Sequence, residues 1–125
     1  MAAFPTFFGL GQGQLPLVDP MVYRIGAQVG FNIYDFAFDQ VMVADLTDPA
    51  PGLFEITVNG GAVNPIAITV GPWLDPSRLV VSFIPPISPA PGDVILISQI
   101  AEFAPWRSAA TGKTAKSWGP IQVIL

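Results

Sequence analysis

Leu53-Phe54-Glu55-Ile56-Thr57-Val58-Asn59-Gly60-Gly61 is the stretch whose reading decides the fold. Phe54, Ile56 and Val58 alternate with Glu55, Thr57 and Asn59. A period of two places the first set on a buried face and the second on a solvent face, as in a strand covered on one side. Asn59-Gly60-Gly61 then supplies residues that accept positive φ, the signature of a tight hairpin. The chain is expected to return over Val63–Val70, with Ile66, Ile68 and Val70 on one face.

The same pattern extends outward in both directions. Arg78–Ile84 reads as a strand with Leu79, Val81 and Phe83 inward, and Gly71–Ser77 as the loop before it. Pro85–Gly92 cannot be a strand interior, since five of its eight residues are Pro or Gly. Val94–Ile100 is the next strand. Residues 101–116 form a polar connection with room for one short helical turn, and Trp118–Leu125 closes the chain as a strand. Toward the N-terminus, Met21–Ile25 and Gly30–Phe38 are strands. Tyr34, Phe36 and Phe38 share one face; Ile33, Asp35 and Ala37 share the other. Val41–Ala44 is read as a continuation after a bend, and Asp45–Gly52 as a turn-rich loop. About seven strands with turns between them, and no long helical period, predict an all-β antiparallel sandwich.

Residues 1–20 break this pattern. Met1 to Pro16 holds three Phe, three Gly and two Pro with neither a strand nor a helix period. The reading is an extended N-terminal arm (1–20) in front of one domain (21–125). Phe4, Phe7, Phe8 and Leu10 are its candidate assembly contacts. Each such side chain contributes about 1.5–3 kcal/mol when fully buried, before the cost of ordering.

Composition limits the function. Of 125 residues, 51% are hydrophobic and only 11% charged, with a net charge of −4. An average soluble domain carries about 25% charge, so much of this surface is expected to face other protein. Five basic residues without a run offer no cationic stripe, which argues against nucleic acid and against an anionic membrane surface. Cys and His are both absent, which removes the usual zinc ligands, thiolate nucleophiles and imidazole bases. No catalytic, cofactor-binding or metal-binding residue is assigned, and no enzyme activity is expected. Residues 1–18 are uncharged but lack a basic start and are broken by Pro and Gly, so they do not read as a signal peptide.

Several constellations have plainer readings. Thr111-Gly112-Lys113-Thr114 resembles the end of a phosphate loop, but Arg107 stands where the loop needs its first Gly. Gly9-Leu10-Gly11-Gln12-Gly13 misses the dinucleotide spacing by one residue and follows no strand. Asp39, Asp45 and Asp48 share one connecting region and could offer oxygens to calcium, although loop aspartates more often cap turns. Trp73 and Trp106 fall in predicted loops and are candidate exposed interface aromatics, or a sugar-stacking platform. Trp118 opens a strand and is assigned to the core.

Residues 53–125 resemble the bacterial Ig-like surface modules of the SwmB type. The matching parts are Phe54-Glu-Ile-Thr-Val-Asn-Gly60, Ser77-Arg-Leu-Val-Val-Ser82, Pro91-Gly-Asp-Val-Ile-Leu-Ile97 and Arg107-Ser-Ala-Ala-Thr-Gly112. The resemblance implies an immunoglobulin-like sandwich; a single module and the Phe/Gly arm depart from it. In layout, a lone Ig-like domain of low charge behind a sticky arm resembles the capsid decoration (cement) proteins of tailed-bacteriophage heads. That likeness implies a virion protein of the host-cytoplasm assembly pathway. Its arm would lie in grooves of the major capsid protein or other shell subunits, and its body would form a homotrimer. A phage tail or spike component and a carbohydrate-binding adhesion module are the alternatives.

Overall fold

A computed structural model describes residues 18–125; the expected arm contacts Phe4, Phe7, Phe8 and Leu10 lie outside the described residues. Eight strands form two four-stranded sheets: β1 (Val22–Ala27), β2 (Tyr34–Phe38), β3 (Phe54–Val58), β4 (Gly61–Val63), β5 (Ala67–Asp75), β6 (Arg78–Ile84), β7 (Ile95–Gln99) and β8 (Trp118–Gln122). The first sheet has the order β1-β2-β6-β5 and the second β4-β3-β7-β8, with every neighbouring pair antiparallel. Lettered in the immunoglobulin manner these are A-B-E-D and C′-C-F-G. The strand order is that of an immunoglobulin-like antiparallel sandwich with one short extra strand.

The alternation of the opening stretch holds. Phe54 and Ile56 are buried, Glu55 is exposed, and β3 pairs with β7 from Phe54–Gln99 to Val58–Ile95. Asn59 and Gly60 both take positive φ, 52° and 85°, which makes the turn after β3 a type I′ hairpin. The expected return strand is where the sequence reading fails. It splits in two: β4 ends at Val63, and Asn64-Pro65-Ile66 carries the chain to the other sheet. Pro65 has no N–H to continue the ladder, and Ile66, expected inward, is 75% exposed while Ile68 is buried. This switch raises the strand count from seven to eight.

Other boundaries move for local reasons. Gly71–Leu74, read as loop, belongs to β5, an outer strand of its sheet where a proline and shifts of register are tolerated. The turn is left to Pro76 and Ser77, whose amide and hydroxyl both bond the Asp75 carboxylate at 2.8 and 3.0 Å. β2 starts at Tyr34, not Gly30, and Val41–Ala44 contributes one bridge, Met42 to Ser108, in place of a strand. The 101–116 connection holds no helix beyond one α-turn, closed by the Gly112 amide on the Ser108 carbonyl at 2.9 Å. It folds back on itself through the Arg107–Thr114 bridge and inserts Ala104, Trp106 and Ala115 into the core.

The core is aromatic at its centre. Phe54 stacks on Trp106 with a centroid distance of 5.9 Å, and meets Phe83 edge-on and Trp118 at a tilt. Phe36 approaches both Phe54 and Trp118 edge-on, the arrangement that ring quadrupoles favour. One buried polar side chain is fully employed. Gln99 accepts from Trp118 Nε1 at 2.7 Å and donates to the carbonyls of Ala101 and Ala115 at 2.8 and 2.9 Å. It thereby ties β7, β8 and the 101–116 connection together.

Tyr34 supplies a second internal anchor. Its hydroxyl is buried and donates to the Ile87 carbonyl at 2.6 Å, pinning the proline-rich segment after β6. Burial, with the nearby Asp93 charge as a smaller cause, pushes its pKa up to about 12. The neutral phenol is the form that the fold favours. Stability from this group is thus fully present below pH 10, the unfolded value, and is lost as pH rises toward 12. Urea melts between pH 9 and 12 are expected to show this loss, and Tyr34→Phe to flatten it. An equal slope in both proteins would remove Tyr34 as the cause.

Candidate interaction surface

The two outer faces of the sandwich are dressed unequally. On the β4-β3-β7-β8 sheet, Glu55, Thr57, Leu96, Ser98 and Pro120 line a small depression of about 180 Å³. On the β1-β2-β6-β5 sheet, the outward positions form a groove of about 450 Å³. Gly26 leaves its floor open, and Phe31, Ile33, Leu74, Val80 and Ile124 supply apolar walls. Phe31, Ile33 and Leu74 are each more than half exposed, at 54%, 53% and 51%. Large apolar side chains gathered on one face mark an interaction site more reliably than the same residues scattered.

Two charged residues line this groove, Arg24 and Asp35, and Asp35 is paired. Arg78 forks onto Asp35, with Nη2 2.6 Å from Oδ2 and Nε 3.3 and 3.2 Å from the two oxygens. A second contact reaches Asp75 at 3.5 Å. The Asp35 carboxylate raises the Arg78 pKa further, and the Ser77 amide is the main reason that Asp75 sits below the usual carboxylate range. These ions are solvent-accessible, so they orient side chains across β2 and β6 more than they stabilise the fold.

The aspartates considered for calcium are engaged with backbone. Asp39 accepts from the Met21 amide at 3.1 Å, Asp45 from Thr47 at 2.7 Å and Asp48 from Val70 at 2.9 Å. Thr47, through its hydroxyl and then its amide, holds the Asp45 carboxyl below its ordinary value. Among the described residues no three metal-ligating side chains cluster. The Thr111–Thr114 stretch is a tight turn, with the Gly112 amide bonded to the Ser108 carbonyl at 2.9 Å.

The tryptophan expectation needs correction. Trp106 is completely buried, because the connection that carries it folds inward over Phe54 and Phe38. No acceptor among the described residues reaches its Nε1. Trp73 is half-buried: it packs on Phe38 and donates to the Asp45 carbonyl at 2.9 Å. The two do not form an exposed platform. Trp118 is core, as expected. Sequence reasoning missed Phe31 and Leu74 as surface residues, since both sat in stretches read for strand faces or loops. The two turns quoted for the Ig-like resemblance meet in space: Asn59 Nδ2 donates to Asp93 Oδ1 at 2.9 Å, and the Val94 amide donates to Asn59 Oδ1 at 2.9 Å.

Comparison with family models, curated proteins and solved structures returns no match.

Proposed function

We propose that this chain is a non-enzymatic structural component of a virus particle, a decoration protein that stabilises a tailed-phage head by bridging neighbouring shell subunits. The observation that carries the reading is the apolar outer face of the β1-β2-β6-β5 sheet, on a chain with only 11% charged residues. A protein acting alone in water has little use for such a face. A protein packed into a lattice does, because weak contacts repeated by symmetry add to a strong attachment. The major capsid protein is the partner proposed for the body, and a homotrimer is the proposed state. The sugar-binding alternative loses support with the burial of Trp106, since stacking on a glycan requires an open ring face.

The test is co-sedimentation with empty shells. Full-length protein is expected to pellet with them. Deleting residues 1–16 is expected to leave the thermal melt nearly unchanged, since the described residues Val22–Val123 form a continuous core cluster of their own, yet to abolish pelleting. Pelleting of neither form, or of both forms equally, would sink the reading of the arm as the attachment device.

A further inference from the structure

We infer that the groove on the β1-β2-β6-β5 sheet is the receptor for the Phe4–Leu10 segment of a second copy of this chain. The inference deepens the proposed function by naming which neighbour the arm engages, and it rests on that reading.

Chemistry comes first. The groove is walled by Phe31, Ile33, Leu74, Val80 and Ile124 and floored at Gly26; of its two charged lining residues, Asp35 is satisfied by Arg78 and Arg24 stands near one end. Its best occupant is an apolar segment without charge. Residues 1–18 contain no charged side chain and place Phe4, Phe7, Phe8 and Leu10 close together, with Gly9 and Gly11 to let backbone approach backbone. Reach agrees. Cross-strand partners put Arg24, Ala37 and Arg78 at one level, and Gly26, Asp35 and Val80 at another. Continued to Ile33 and Phe31, the groove runs on the order of 15 Å along the strands. Six residue steps from Phe4 to Leu10, extended, cover about 20 Å.

The way the chain leaves the sandwich favours another copy over its own groove. The Val18 carbonyl is held by Gln40 Nε2 at 3.0 Å, and Asp19 lies 4.0 Å from Lys113. Lys113 belongs to the connection between β7 and β8, strands of the opposite sheet. The last anchors before the arm therefore sit at the Val22–Phe38 end of β1 and β2, opposite the end where Phe31 and Ile33 lie. From Val18 to Phe8 is ten residues, about 33 Å extended, enough to cross to an adjacent copy. An arm-in-groove contact is head-to-tail, and three such contacts can close a ring.

Sedimentation velocity on purified full-length proteins, without shells, tests this. Wild type is expected to self-associate. An arm variant, Phe7→Asp with Phe8→Asp, and a groove variant, Ile33→Asp with Leu74→Asp, are each expected to weaken association by at least about tenfold. Ile33 and Leu74 are more than half exposed, so the groove variant keeps its core; far-UV dichroism verifies this. The decisive step is mixing. Arm variant and groove variant together still offer one intact arm and one intact groove, so a heterodimer should form where neither protein associates alone. A monomeric wild type would overturn the proposal in favour of the arm's own groove or a foreign partner, as would variants that associate normally or a mixture without heterodimer. Self-association that obeys these rules without any binding to shells would leave the arm–groove contact standing and remove only the phage-head role.

Discussion

Gly119→Ala is expected to cost about 3 kcal/mol or more, enough to unfold a large fraction of a marginally stable domain at physiological temperature. Gly119 has a φ of +90°, a conformation that side-chain-bearing residues avoid. Space is the second problem. A Cβ at this position would lie 2.8 Å from the Ile97 carbonyl oxygen and 2.9–3.0 Å from Ser98 Cβ and Cα. These are mainly atoms of β7 itself, held by pairing with β3 on its other side, so they cannot swing away as a side-chain tip would. The relief available is separation of β8 from β7, which would also pull Trp118 from Gln99. Differential scanning calorimetry of the variant should show a large fall in Tm. Gly60→Ala serves as a contrast: its φ is +85°, but no atom lies within 4 Å of the added methyl. Equal losses at the two positions would show that conformation alone, without the collision, sets the cost.

Phe54→Ala is expected to cost about 3–5 kcal/mol. Its ring is in contact with Trp106, Phe36, Phe83 and Trp118, which come from both sheets and from the 101–116 connection. Truncation leaves a void among rigid rings that cannot collapse to fill it, so the cost should fall at the high end for a large-to-small change. Phe54→Leu, which keeps most of the volume, should recover more than half of the loss. Urea denaturation gives both values. A cost near 1 kcal/mol for the alanine variant would mean that Trp106 drops into the vacated space.

The contrast between Phe54 and Trp106 shows where a sequence is readable. Phe54 sits in strict alternation, so its inward direction follows from the period of a strand and needs no knowledge of the partner. Trp106 sits in a stretch without period, between Pro105 and Arg107, and its burial depends on a long connection folding back over the core. Only tertiary packing decides that. Asn64-Pro65 shows the same limit differently. The residues after it alternate properly, so the sequence tells that a strand follows, but not that it joins the other sheet. The groove was least legible of all. Phe31, Ile33, Leu74 and Val80 are dispersed along the chain over fifty residues, and only the pairing of β1, β2, β6 and β5 brings them together. What composition did convey was its consequence, a charge content too low to cover the surface.

The end of the described chain has a mechanical side. Beyond β8, Ile124 runs parallel to β1: its N–H donates to the Ile25 carbonyl and its carbonyl accepts from the Ala27 amide, both at 2.9 Å. Because the two segments point the same way, a pull applied through Val22 on one side and Leu125 on the other slides them past each other. Both hydrogen bonds are then stretched in shear and must fail together, whereas an antiparallel end would peel open one bond at a time. The seam that joins the edges of the two sheets is thus also a clamp against tension along the sandwich.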